Sequence, residues 1–153
     1  MSNTEEWRHQ CIEALQSETN NAKELKAFVG LDGFVDEIVH VVDKREDANT
    51  FHRIPTIAAY ADRIAEAAGK STNIELVTQR IKLGGNGPIM ANALAALSVG
   101  VSYVGALGFP NLHPVFQPLA DKSDVFSIAE AAHTDALEFG DGKLMLGKMT
   151  PLN

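Results

Sequence analysis

Apolar and polar positions along this chain follow a helical period in some stretches and a period of two in others. Each rhythm predicts an element. Near the N-terminus, Trp7, Cys11 and Leu15 recur at helical spacing behind Asn3-Thr4-Glu5-Glu6. Asn3 is a capping residue there, and Glu6 stands three places on. This predicts an amphipathic helix through about residue 16, with Trp7 as a packing anchor. Ala27-Phe28-Val29-Gly30 reads as a first buried strand, and Ile38-Val39-His40-Val41-Val42 resumes the extended pattern. Ile57, Tyr60, Ile64 and Ala68 trace one side of a second helix, capped by Thr56 and ended by Gly69. In residues 71–81, Ile74, Leu76 and Thr78 alternate with Asn73, Glu75, Val77 and Gln79, the period of a half-exposed strand.

The densest pattern is residues 81–108, which read strand, glycine turn, helix, turn, strand. Gly84-Gly85-Asn86-Gly87 is the turn, where glycines permit positive φ and close approach. Pro88 suits a first helical position. Ile89, Ala93 and Leu97 mark one helix face, flanked by Met90 and Leu94, and Gly100 is the predicted stop. Val101, Tyr103 and Val104 open a buried strand running into Gly105-Ala106-Leu107-Gly108. Such a crossover predicts a right-handed unit in an α/β sheet. Farther on, Val115, Phe116 and Leu119 predict a short helix disturbed by Pro118, and Val125–Ile128 a short strand. Ala136–Phe139, the turn Gly140-Asp141-Gly142-Lys143 and Leu144-Met145-Leu146 form a hairpin signal. Met90, Met145 and Met149 make no stripe that asks for a cofactor.

Composition narrows the field. A chain of 153 residues with a formal charge of −7 suits one soluble domain with a real core, and its acidity argues against a nucleic-acid surface. One cysteine, Cys11, excludes an internal disulfide and a cysteine cluster for zinc or iron–sulfur. No apolar run reaches membrane length, and the polar start MSNTEEWRHQ is not a secretion signal. A cytoplasmic protein with no membrane partner is the default expectation.

Free N–H groups in the 84–87 turn, aimed by the following helix, favour an anion or an electron-rich hydroxyl. The turn is not a Walker A loop, since no Gly-Lys-Ser/Thr follows. Nor is it a dinucleotide fingerprint, since the spacing is GGxG and no acidic residue closes the 101–107 strand. A tight turn with only a packing purpose is the alternative. Asp32 and Asp36 lie just beyond a buried strand and beside glycines. Carboxylates there accept hydrogen bonds from vicinal hydroxyls, and strand ends in α/β folds face ligand crevices. Asp36 is the first candidate for a ligand contact; the alternative is that both residues cap local backbone. His40 lacks a spaced partner for a metal, and no metal site is expected.

The order of these elements resembles the N-terminal half of the ribokinase-like (PfkB) carbohydrate kinases, over roughly residues 27–147. The resemblance implies part of a three-layer α/β/α sandwich with a small β-sheet lid. Lid elements fall near 38–43, 73–83 and 136–147 within one N-terminal portion, residues 1–153. It implies that Asp36 binds sugar hydroxyls, although it sits one place farther from Gly30 than usual. Gly84 and Gly85 match the glycine pair beside the sugar, and Asn86 falls where members carry lysine or another polar residue. Isoleucine stands at 89, where the family has a sugar-binding asparagine; Asn92, one turn on, points in a similar direction. The substrate-binding set is therefore Asp32, Asp36, Gly84, Gly85, Asn86 and Asn92.

Nothing matches the family's Gly-x-Gly-Asp motif, so the catalytic aspartate and the main sites for ATP and Mg²⁺ are expected in an absent C-terminal half. No catalytic residue is expected in this segment, and the segment alone is expected to be inactive. The resemblance implies ATP-dependent phosphorylation of a sugar or nucleoside hydroxyl by the intact protein, and a homodimer paired through the lid. A non-catalytic ligand-binding or regulatory protein on the same fold is the alternative, supported by Ile89. A nucleotide-binding dehydrogenase domain is a third reading.

Overall fold

The computed structural model describes residues 3–148. Met149 and the closing Pro151-Leu152-Asn153 lie outside the described residues. The chain divides into two units, one containing residues up to Gly33 and Gly85–Glu130, the other Phe34–Gly84 and the residues from Ala131 onward.

The first unit holds helix α1 (Asn3–Ala22), strand β1 (Lys26–Val29), helix α3 (Asn86–Ala96), strand β5 (Gly100–Gly105), a 3₁₀ turn (Pro114–Phe116), helix α4 (Gln117–Ala120) and strand β6 (Asp124–Ser127). Its sheet is parallel, in the order β1-β5-β6. Val29, Val101 and Tyr103 point to the face covered by α3 and α4, where Phe116 and Leu119 are also buried. The period-2 pattern therefore puts Phe28 and Phe126 on the opposite face, where they are 73% and 61% exposed. Only one helical layer of the expected sandwich lies on this sheet among the described residues.

The second unit holds β2 (Phe34–Arg45), β3 (Phe51–Arg53), α2 (Ile57–Ala65), β4 (Leu76–Gly84), β7 (Ala132–Glu138) and β8 (Lys143–Lys148). They make one mixed sheet: β2 pairs antiparallel with β4 along one edge, along the other it pairs parallel with β7 and, farther on, antiparallel with β3, and β7 pairs antiparallel with β8. Val39, Val41, Ile54, Leu137 and Phe139 form its core beneath α2, whose Ile57, Ala59 and Tyr60 pack on it. Thr56 caps α2 by accepting from the Ala59 N–H, as its position predicts. Asp141 in the hairpin turn accepts from the Ile57 N–H at 3.0 Å and ties β7–β8 to the same helix start.

Several expectations give way. The strand before the glycine turn is β4, in the second sheet, whereas β5 belongs to the first, so no crossover joins them within one sheet. β4 is exposed at every position from Thr78 to Lys82, which suits an antiparallel strand at a wet edge, whereas β5 buries every second residue beneath helices. Likewise β2 does not continue β1: it starts at Phe34, four residues before the expected segment, and lies in the other sheet. Helix α1 runs on to Ala22, and Trp7, 63% exposed, donates to Asn3 Oδ1 instead of anchoring a core. Phe51–Arg53, for which the sequence pattern predicts no element, is a strand paired with β2. In α3 the buried positions are Gly87, Pro88 and Ala91, with Ile89, Ala93 and Leu97 outward. The helix opens at Asn86, so Pro88 is its third residue, still within the turn whose N–H groups lack intrahelical acceptors. Its end is made by Ser98 at φ 66°, and Gly100 begins β5.

Candidate functional site

The sequence candidates divide between the two units. In the first, the segment after β1 brings Asp32 to the start of α3. Gly85 precedes that helix with φ 89°. The Gly87 N–H, one of the four without an intrahelical acceptor, donates to Asp32 Oδ1 at 2.9 Å. The other oxygen, Oδ2, would lie 2.7 Å from a β-carbon at Gly85, and a β-carbon at Gly87 would run into Oδ1 and the Tyr103 hydroxyl. The glycines are thus needed because the Asp32 carboxylate occupies the space their side chains would take. A negative charge at this end also complements the helix dipole.

Tyr103 completes the arrangement. It is fully buried, and its hydroxyl donates to the Asp32 backbone carbonyl. Burial, then the Asp32 charge and hydrogen bond, push the phenol well above its ordinary pKa, so it stays a neutral donor. The structure therefore places Asp32 as the tie between β1 and α3. Asn86 is exposed at the first position of α3. Asn92 is half-buried, and its Oδ1 accepts from Lys122 Nζ at 2.9 Å. Ile89 is 54% exposed.

In the second unit, Asp36 and Gly84 come together on one sheet face. Phe34 is opposite Gly84 and Asp36 opposite Lys82 in the β2–β4 ladder, so Gly84 is a diagonal neighbour of Asp36. A β-carbon at Gly84 would strike the Asp36 carboxyl carbon and both of its oxygens. The carboxylate therefore lies along the strand over the bare α-carbon of Gly84. On its other side, Asp36 is level with Thr134 of β7.

Sequence reading missed Lys82, Thr134 and Tyr103. The first two lie on other strands, and only the ladder register brings them level with Asp36.

Elsewhere in this unit Arg53 Nη1 donates to His40 Nε2 at 3.1 Å, and His40 lies 3.7 Å from Glu138 Oε2. Lys143 is 2.8 Å from Glu138 and holds its carboxyl below the usual range, with His40 a smaller contributor. Among the described residues no group of three His, Cys, Asp or Glu side chains could hold a metal ion. No helix of the described residues is long and apolar enough to cross a membrane.

Comparison with known proteins gives three findings. The family model of the prokaryotic ketohexokinases matches residues 2–152. A curated ketohexokinase of Haloferax volcanii is 31% identical over 144 residues, covering 93% of this chain and 37% of that protein. The chain thus spans little more than a third of that relative's length. Among solved structures, a Methanocaldococcus jannaschii nucleoside kinase, an archaeal member of the ribokinase family, matches with a TM-score of 0.44 and 12% identity, over 80% of this chain and 36% of that one.

Proposed function

Because the chain belongs to the prokaryotic ketohexokinase family, we propose that the full-length protein transfers the γ-phosphoryl group of ATP to a sugar hydroxyl, and that residues 3–148 supply substrate contacts. A ketohexose is the first candidate acceptor, after the printed name of the Haloferax relative; a nucleoside is the second. The observation that carries the reading is the Asp36 carboxylate laid over Gly84. Both carboxylate oxygens accept hydrogen bonds, and a pair of vicinal hydroxyls offers two donors at matching spacing. Desolvating such a pair against a carboxylate gives charge-assisted bonds of about 1.5–3 kcal/mol each.

Gly85 and Asn86 present the start of α3, whose N–H groups and dipole favour electron-rich oxygens. Asp32 serves by holding that helix start in place and keeps Oδ2 beside Gly85. Asn92 joins the set only if a ligand draws it from Lys122. ATP supplies the phosphoryl group, and Mg²⁺ neutralises its charge. The general base and the residues for both are proposed to lie outside residues 3–148. A homodimer through the sheet of the second unit and a cytoplasmic location are part of the same reading.

The test is calorimetric titration of the full-length protein with ketohexoses, aldohexoses and nucleosides, with ATP turnover measured in parallel. Asp36→Ala is expected to weaken sugar binding at least about 100-fold, the loss of two charge-assisted bonds, with Tm little changed. Unchanged binding would remove Asp36 from the site. A non-catalytic ligand-binding protein is the second reading, favoured by the exposed Ile89 where the resemblance places an asparagine. Sugar binding without ATP turnover would establish it.

A further inference from the structure

Across the sheet of the second unit, Lys82, Asp36, Thr134 and Gly147 stand level on β4, β2, β7 and β8. Partners in such a row lie side by side on one face, with β-carbons about 4.5–5.5 Å apart in antiparallel pairs. Lys82 and Asp36 are opposite charges directly across a ladder, yet no ion pair joins them. The Asp36 carboxylate leans along the strand over Gly84 instead of across to Lys82. Lys82 is exposed and makes no ion pair or hydrogen bond among the described residues.

Thr134 is the second polar side chain of the row beside Asp36. It is 6% exposed and is the one buried polar side chain among the described residues. Its hydroxyl makes no hydrogen bond among the described residues, which leaves it free to bond a ligand. The hydroxyl oxygen is not sealed from solvent: among the described residues Ser123 Oγ alone is a buried side-chain polar atom without a partner. Beyond it the row ends at Gly147, where a β-carbon would meet nothing within 4 Å. The threonine is therefore open on that side.

We infer that Lys82 and Thr134 are specificity-determining contacts flanking Asp36, and that the row reads three neighbouring oxygens of a neutral polyol. This rests on the sugar-binding reading of Asp36. Lys82 only donates, Asp36 only accepts, and Thr134 does both. The row thus matches an acceptor-only oxygen, then a hydroxyl, then a second hydroxyl. The acceptor-only oxygen is a ring oxygen or a keto oxygen; both occur in a ketose, and an open-chain alditol has neither. One cation and one anion leave the row without net charge, which suits a neutral sugar better than a sugar phosphate. Arg80 stands one row farther out, opposite Ile38, and is not part of it.

The test is titration of the full-length protein with a ketohexose, the corresponding 2,5-anhydrohexitol and the hexitol. Lys82→Met is expected to weaken ketohexose binding about tenfold or more, leave the hexitol nearly unchanged, and so narrow the ratio between them; Lys82→Arg retains most of the preference. An equal loss for the anhydrohexitol assigns the contact to the ring oxygen, and a loss confined to the ketohexose assigns it to the keto or anomeric oxygen. Thr134→Val, near in shape but without the hydroxyl, is expected to cost about tenfold in affinity with Tm held, and Thr134→Ser to recover it. An unchanged ketohexose-to-hexitol ratio in Lys82→Met overturns the role of Lys82, and a Thr134→Val effect on Tm alone overturns that of Thr134. If Asp36→Asn binds as wild type, the reading beneath the proposal fails. If Asp36→Asn loses binding while the ratio stays fixed, only the proposal fails.

Discussion

The start of α3 closes around a single α-carbon. At Gly87 the helix start, the Asp32 carboxylate and the Tyr103 hydroxyl converge on the volume that one methyl group would fill. Gly87→Ala must displace at least one of them, and the Tyr103 hydroxyl and Asp32 Oδ1 have bonds to lose. Overpacking typically costs about 1–3 kcal/mol. Gly87→Ala is therefore expected to lower Tm clearly and to weaken sugar binding indirectly. Tyr103→Phe, which relieves the hydroxyl side of the collision, should recover part of the Tm in the double variant. Strict additivity of the two substitutions in thermal melts would show that they do not share the space.

At the scale of elements, the β7–β8 hairpin joins a buried strand to an exposed one through charged partners. Lys143 and, less strongly, His40 hold Glu138 below its ordinary value. A carboxylate with a depressed folded-state pKa stabilises the fold above its unfolded pKa, and that contribution is lost as pH falls through the depressed value. The hairpin should therefore weaken in acid, below the ordinary carboxylate range near pH 4.5. Glu138→Gln should lower Tm at pH 7 by a small amount, because the pair is partly exposed. The same change should flatten the Tm-against-pH curve between pH 3 and 5. A curve with the wild-type slope would deny Glu138 this role.

At the scale of the whole molecule, each sheet presents apolar residues to solvent. In the first unit these are Phe28 and Phe126. In the second, Leu76, Ile81 and Leu146 project on the side that also carries Leu137, and are about half exposed. Exposed apolar sheet faces mark association surfaces. For the second unit the proposed occupant is another copy of the same sheet, giving an isologous pair. Light scattering of the full-length protein is expected to give twice the monomer mass, and Ile81→Lys with Leu146→Lys to give the monomer. A wild-type monomer at micromolar concentration would leave that face without its proposed cover.

What the sequence alone determined was local. Thr56 as a cap, the Gly140–Lys143 turn, β6, the buried alternation of β5 and the glycine start of α3 all depend on neighbours within a few residues, and the structure keeps each of them. The kinase resemblance was legible for the same reason, because a strand end, a glycine pair and a helix recur at set spacings, and the family match upholds it. Tertiary structure decided which sheet each strand joins. The short links at Gly33–Phe34 and Gly84–Gly85 carry the chain from one unit to the other without any change of composition to mark the crossing. It also decided which face of α3 is buried, because Gly87, Pro88 and Ala91 offer a smaller surface than Ile89 and Leu97 and so let the helix approach β5 closely. Finally, it set Lys82 and Thr134 beside Asp36. Their sequence distances from it carry no signal, and only the ladder register brings a residue of β4 and a residue of β7 level with one carboxylate on β2.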